Sequence, residues 1–167
     1  MIRLRAMTGD DVPAGLALSR QAGWNQTPAD LPRFRALAPE GSFVAQWDGE
    51  SIGCVMTFEF GSIAWIAMML VDAAHRGHGI GRALMDRALE HLDSRGIPTV
   101  RLDATPLGEP LYTKLGFVPQ FQLARYAGSV ASVSGGQGVL PANPEQIEEI
   151  IDLDREATHT DRRNLLM

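Results

Sequence analysis

The chain has 167 residues, 45% hydrophobic and 21% charged, which suits one globular domain with a continuous core and argues against low-complexity disorder. Fifteen Lys and Arg against twenty Asp and Glu leave a net charge of -5 with no basic run, against a nucleic-acid partner and, weakly, toward a cationic amine rather than a polyanion as substrate. Cys54 is the only cysteine, so neither an internal disulfide nor a thiolate metal cluster can form.

In chain order, Ile2-Arg3-Leu4-Arg5 alternates as a half-buried strand does. Thr8, Asp10 and Asp11 offer helix caps ahead of Pro13, and Gly23 stops that helix. Residues 24–28 form a loop and 30–37 a second short helix. Residues 42–47, 52–60 and 63–71 read as strands, punctuated by Asp48-Gly49 and Gly61-Ser62, so an antiparallel meander is predicted. Cys54 lies within the second of these runs and reads as a buried, inert thiol.

Ile80, Leu84, Ala88 and Leu92 recur at helical spacing over 79–92, with Arg82, Asp86, Arg87 and Glu90 left for solvent. A strand over 99–102, a short helix over 106–114 and an extended stretch over 117–126 follow. Residues 128–140 are Ser/Gly-rich and read as a linker between a domain over 1–127 and a segment over 141–167. In that last segment Ile147, Ile150 and Ile151 mark one side of an amphipathic helix, to be buried on the core or in a homodimer. The first eighteen residues lack the features of a signal peptide, and the longest apolar run, 63–71, is too short to span a bilayer. The cytoplasm is the expected location, with no membrane partner.

The chemistry is concentrated in Met69-Leu70-Val71-Asp72-Ala73-Ala74-His75-Arg76-Gly77-His78-Gly79-Ile80-Gly81-Arg82, a strand that enters a glycine-rich loop and then a helix. The first N–H groups of a helix have no internal partner and carry the positive end of its dipole, so they attract an anion such as pyrophosphate. The run lacks the Gly-Lys-Ser/Thr of a P-loop. Its third glycine also falls one residue early for the dinucleotide fingerprint. A purely structural turn is the alternative.

Arg76-Gly77-His78-Gly79-Ile80-Gly81 resembles the Gln/Arg-x-x-Gly-x-Gly/Ala motif of the GNAT superfamily, with Val71-Asp72 matching the family's strand end. Leu111-Tyr112-Thr113-Lys114-Leu115-Gly116-Phe117 resembles its Leu-Tyr-x-Lys-Leu-Gly-Phe stretch. The resemblance spans about residues 2 to 126. It implies an α/β GNAT fold, a mixed, mostly antiparallel twisted sheet whose fourth and fifth strands splay apart, and an acetyl-CoA-dependent N-acetyltransferase acting on a small-molecule amine by direct transfer. A non-catalytic acyl-CoA-binding module is the alternative.

The resemblance also implies roles for particular residues. Met69, Leu70 and Val71 would face the pantetheine arm, and Arg76, Gly77, His78, Gly79, Ile80, Gly81 and Arg82 the pyrophosphate, with a solvent-facing role the alternative for Arg82. Tyr112 would protonate the leaving thiolate, or else serve as a core aromatic. Thr105 stands where the family usually has Asn beside the cofactor. Glu59 is the candidate base, or a solvated carboxylate at a strand end. Trp24 and Asn25 would border the acceptor, with Trp24 alternatively in the core. No metal-ligand spacing is present. Residues 154–166 resemble the opening of a second GNAT-like unit in tandem relatives.

Overall fold

The computed structural model describes residues 2–126, 128–129 and 140–167. Five strands form one sheet in the order β1-β2-β3-β4-β5: Ile2–Ala6, Ser42–Trp47, Glu50–Phe60, Ile63–Val71 and Thr99–Leu102. The first four pair antiparallel, and β5 pairs parallel to β4. Asp48 (φ 49°) and Gly49 (φ 93°) close β2 onto β3, two left-handed residues of the kind a tight hairpin needs.

Helices α1 (Val12–Gln21) and α2 (Asp30–Leu37) lie between β1 and β2, and α3 (Ile80–Ser94) joins β4 to β5. They cover opposite faces of the sheet. Leu16, Leu18 and Leu31 pack with Val44, Cys54, Met56, Met68 and Leu70 on one side. Ile80, Leu84, Met85, Ala88 and Leu92 pack with Phe43, Ala45, Val55, Ala64 and Ile66 on the other, which is the apolar stripe the helical spacing predicts. The short α4 (Glu109–Lys114) follows β5 and adds Tyr112 and Leu111 to the α3 side.

Asp11, 3% exposed, ties the start of α1 to the sheet. Its carboxylate accepts from both terminal nitrogens of Arg5 (2.6 and 2.7 Å), from Thr8 N–H and Oγ1, and from Ser51 Oγ. The Arg5 guanidinium above all holds this carboxyl well below the usual carboxylate range.

Residues 118–126 belong to no strand or helix, and Val118, Phe121, Leu123 and Tyr126 are exposed. Of the predicted linker over 128–140, positions 130–139 lie outside the described residues. Helices α5 (Ile147–Thr158) and α6 (Arg163–Leu166) follow, clipped together by the Arg162–Asp154 and Arg163–Glu148 ion pairs. The isoleucine stripe divides: Ile151 is 1% exposed, whereas Ile150 is 37% exposed. The Arg33 guanidinium of α2 donates to Leu165 O (2.7 Å), and Leu165 lines a small cleft with Leu37, Phe58 and Phe60. The tail therefore meets the core on the α2 side. Among the described residues, no helix is long and apolar enough to cross a membrane.

Candidate active site

β4 and β5 stay paired only from Ile63↔Thr99 to Ile66↔Leu102. β5 then ends while β4 continues to Val71. Just past the parting, the β3–β4 register slips: Met56 faces Ala67, yet Cys54 faces Leu70. β4 takes up the extra residue with Met68 at φ 50°, a left-handed conformation that costs a non-glycine roughly 1–2 kcal/mol. The slip exchanges the faces of the strand. Ala64 and Ile66 point to the α3 side, whereas Met68 and Leu70 point to the α1 side and Met69 and Val71 take their place toward α3. Cys54 Sγ donates to Met68 O (3.2 Å) and braces the bulge. Burial pushes its thiol up to about 12, consistent with the inert thiol predicted.

The loop after β4 is held from several sides. Asp72 N–H donates to Ile52 O (2.8 Å), continuing the ladder. The Asp72 carboxylate accepts from His75 Nδ1 (2.7 Å), Ala74 N–H (3.1 Å) and Gln21 Nε2 (2.9 Å). His75 and then Gln21 hold this carboxyl below its usual range, and a carboxylate that only accepts requires the His75 hydrogen on Nδ1. His75 and His78 both pack against the Trp47 ring, at 5.6 and 5.4 Å between centroids. His78 Nδ1 reaches Arg76 O (3.0 Å), and Arg76 Nε donates to Val71 O (3.1 Å).

Gly79 precedes α3 at φ 79° and ψ 0°, a conformation open to glycine at little cost. The first helical bond of this turn runs from Ala83 N–H to Gly79 O (3.0 Å), so the N–H groups before Ala83 have no acceptor within the helix. Nothing lies within 4 Å of where a Cβ would stand on Gly77 or Gly79. At Gly81 the packing is close instead, since a Cβ there would sit 3.3 Å from Met69 and 3.4 Å from Leu111. This contact joins the first turn of α3 to the end of β4 and to α4.

Tyr112 is 9% exposed and packs edge-on against Phe117. A Cβ on Gly108 would lie 2.8 Å from its ring and 3.1 Å from its hydroxyl, so the side chain runs back over the start of α4. Burial raises the phenol above its ordinary value and keeps it protonated. Thr105 O accepts from Gly108 N–H (2.9 Å) and Glu109 N–H (3.0 Å), which closes the turn before α4.

The remaining predicted residues divide. Trp24 is half-buried against the α1-side core, while Asn25 is exposed. Their loop follows Gln21, which touches Asp72, so they lie on the flank of the glycine loop. Arg82 pairs with Asp86 (2.8 Å) on the exposed face of α3, the solvent-facing alternative. Glu59, the candidate base, lies toward the other end of α3. It pairs with Ala64 at the start of β4, accepts from Arg95 Nε (3.2 Å) and lies 3.5 Å from His91 Nε2. Those partners end α3, and His91 is roughly 16 Å along the helix from Ile80 at 1.5 Å per residue. The structure does not bring Glu59 to the glycine loop. Gln21, Trp47 and the Met68 bulge were missed. Gln21 and Trp47 act across the fold, and the bulge lies in the apolar run Ala67-Met68-Met69-Leu70, which has no alternation to interrupt. Among the described residues, no three His, Cys, Asp or Glu are grouped to hold a metal ion.

This geometry has counterparts in known proteins. Holothin acyltransferase of Pseudoalteromonas is 30% identical over 145 residues, covering 86% of this chain and 48% of that protein. Mycothiol acetyltransferase of Thermobispora bispora is 34% identical over 138 residues, covering 70% and 46%. The chain thus spans about half the length of these curated relatives. A crystal structure from Pyrococcus horikoshii matches the fold with a TM-score of 0.76 at 24% identity, covering 98% of this chain and 60% of that one. Residues 12–117 match the Acetyltransferase (GNAT) family, and with the parted strands and the glycine loop in place, the chain belongs to that family.

Proposed function

We propose that the protein is an acetyl-CoA-dependent N-acetyltransferase that moves an acetyl group to the amine of a small molecule by direct transfer in a ternary complex. One observation carries the reading: strands that part and a glycine loop that opens a helix occur at the same end of the sheet. The residues fit the co-substrate. The free N–H groups of the first α3 turn suit a pyrophosphate, and the space above Gly77 and Gly79 lets it approach. Beyond residue 66, β4 has no β5 partner, and Met69 and Val71, which alternate with the β3-paired Leu70, have backbone groups to offer the amides of a pantetheine arm.

When bound, acetyl-CoA supplies a thioester whose carbonyl carbon accepts the amine nitrogen as the C–S bond breaks. Tyr112 is the proposed acid. Held protonated by burial, it gives its phenolic proton to the departing sulfur and regains one from the amine through water. Cys54, buried and bonded to Met68 O, is unsuited to carry the acyl group, which supports direct transfer over a covalent intermediate. The two relatives named for holothin and mycothiol support a single small acceptor. We also read residues 141–167 as resembling the start of a second GNAT-like unit, and the cytoplasm as the site of action.

The test is a panel of small amines assayed for CoA release with acetyl-CoA present. Release that depends on one amine class, with acetylated product recovered in equal amount, supports the proposal. Release without any amine, or an acetyl group found on Cys54, refutes direct transfer.

A further inference from the structure

Gln21 is the last residue of α1, exposed, and remote in sequence from the glycine loop. Its side-chain amide is nevertheless used at both ends by that loop: Nε2 donates to Asp72 Oδ1 (2.9 Å) and Oε1 accepts from Ala73 N–H (2.9 Å). On the other side of Gln21, the chain into α2 is fastened to the last turn of α1. Gly23 N–H donates to Arg20 O (3.0 Å) and Trp24 N–H to Ser19 O (3.0 Å). Ser19 Oγ, fully buried, donates to Gln26 Oε1 (2.6 Å). The loop holding Trp24 and Asn25 is therefore a continuation of α1, and Gln21 ties that helix end to the loop that opens α3. Asp72 completes the link, because the same carboxylate also binds His75, whose ring packs on Trp47.

We infer that Gln21 is a positioning residue that joins the α1–α2 loop to the glycine loop, so that a ligand seated on the first turn of α3 is registered at Trp24. The inference rests on the proposed reading of that turn as the co-substrate seat, and it adds a coupling between co-substrate and acceptor sides. Such coupling requires an element with contacts to both sites. Here it is the end of α1, held at one edge by Asp72 and Ala73 and bearing Trp24 and Asn25 on the other. An amide suits the task because it donates to the carboxylate and accepts from the backbone at once.

The chain has three tryptophans, and each is a separate reporter. Trp47 touches the glycine loop directly, Trp24 sits across Gln21, and Trp65 lies on β4 where it is paired with β5. The experiment labels the full chain with 5-fluorotryptophan, assigns the three fluorine resonances by single Trp→Phe variants, and titrates with CoA while calorimetry follows binding. In the parent protein, CoA should shift both Trp47 and Trp24. In Gln21→Ala, Trp47 should still shift, Trp24 should stay at its free position, and CoA affinity should fall by about tenfold, on the scale of a single hydrogen bond. A Trp24 shift of unchanged size in Gln21→Ala overturns the inference, as does a parent protein in which CoA binds and Trp24 is silent. Absence of any binding heat instead overturns the reading on which it rests, and the inference with it.

Discussion

Replacing Gly79 separates two things this glycine does: adopt a backbone conformation, and leave the space before α3 open. Its φ of 79° costs an L-residue about 1–2 kcal/mol. At 2–4 °C per kcal/mol for a chain of this size, Gly79→Ala should lower the melting temperature by about 2–8 °C without ligand. Gly61 provides the control, with φ 68° and equally open surroundings, but in the β3–β4 turn at the far end of the sheet. Gly61→Ala should lose as much stability. A ligand at 100 times its Kd adds about 2.7 kcal/mol, which is roughly 5–11 °C on the same scale. With saturating acetyl-CoA, Gly61→Ala should recover this gain in full, and Gly79→Gln, whose side chain fills the open space, should recover none. Differential scanning fluorimetry with and without acetyl-CoA reads all of these quantities. A full gain in Gly79→Gln would refute the placing of the pyrophosphate on this turn.

Tyr112→Phe should lower turnover by about 10²-fold with CoA affinity little changed; a melting temperature lower by more than about 4 °C would mark Tyr112 as a packing residue instead. Asp11→Asn removes a carboxylate whose folded pKa is depressed, so the wild type should hold this stabilisation above about pH 4 and lose it as pH falls further. Chemical denaturation at pH 7 should find the variant weaker by about 2–3 kcal/mol, and the two proteins should converge in acid. Deleting residues 139–167 exposes what Ile151 and Leu165 cover. It should lower the melting temperature by several degrees, at about 2 kcal/mol per large side chain uncovered, and leave the gain from acetyl-CoA intact.

Much of this fold is written locally. The Asp48-Gly49 hairpin, the apolar stripe of α3 and the glycine stop after α1 follow from short-range rules, and each element lies within a few residues of its predicted position. The glycine loop and the Tyr112 segment were legible as well, because their residues are close together in sequence. Side chains whose partners are distant in the chain were not. Gln21 is separated from Asp72 by 51 positions, and no periodicity connects them. The surroundings of Glu59 show the same limit. An acidic residue near the end of β3 suggests a base, but only the packing of α3 across the sheet reveals that Arg95 and His91 are its neighbours.

The bulge at Met68 explains why strand parting and core packing coexist in this fold. A strand leaving its partner exposes N–H and C=O groups that would each cost about 1–3 kcal/mol if buried without replacement. Continued unbroken past Ile66, β4 would keep its even-numbered side chains toward α3 and leave the α1-side core without Met68 and Leu70. The inserted residue turns those two side chains to the α1 side. Met69 and Val71 are thereby set beside Gly81, where an added Cβ would sit 3.3 Å from Met69 and 3.9 Å from Val71. One strained residue, braced by the Cys54 thiol, keeps both cores filled while the edge of β4 from residue 67 onward has no β5 partner. On the proposed reading, an amide-bearing ligand is what that edge is shaped to receive. The strain at Met68 persists because the packing of both cores and the Cys54 bond over-determine it.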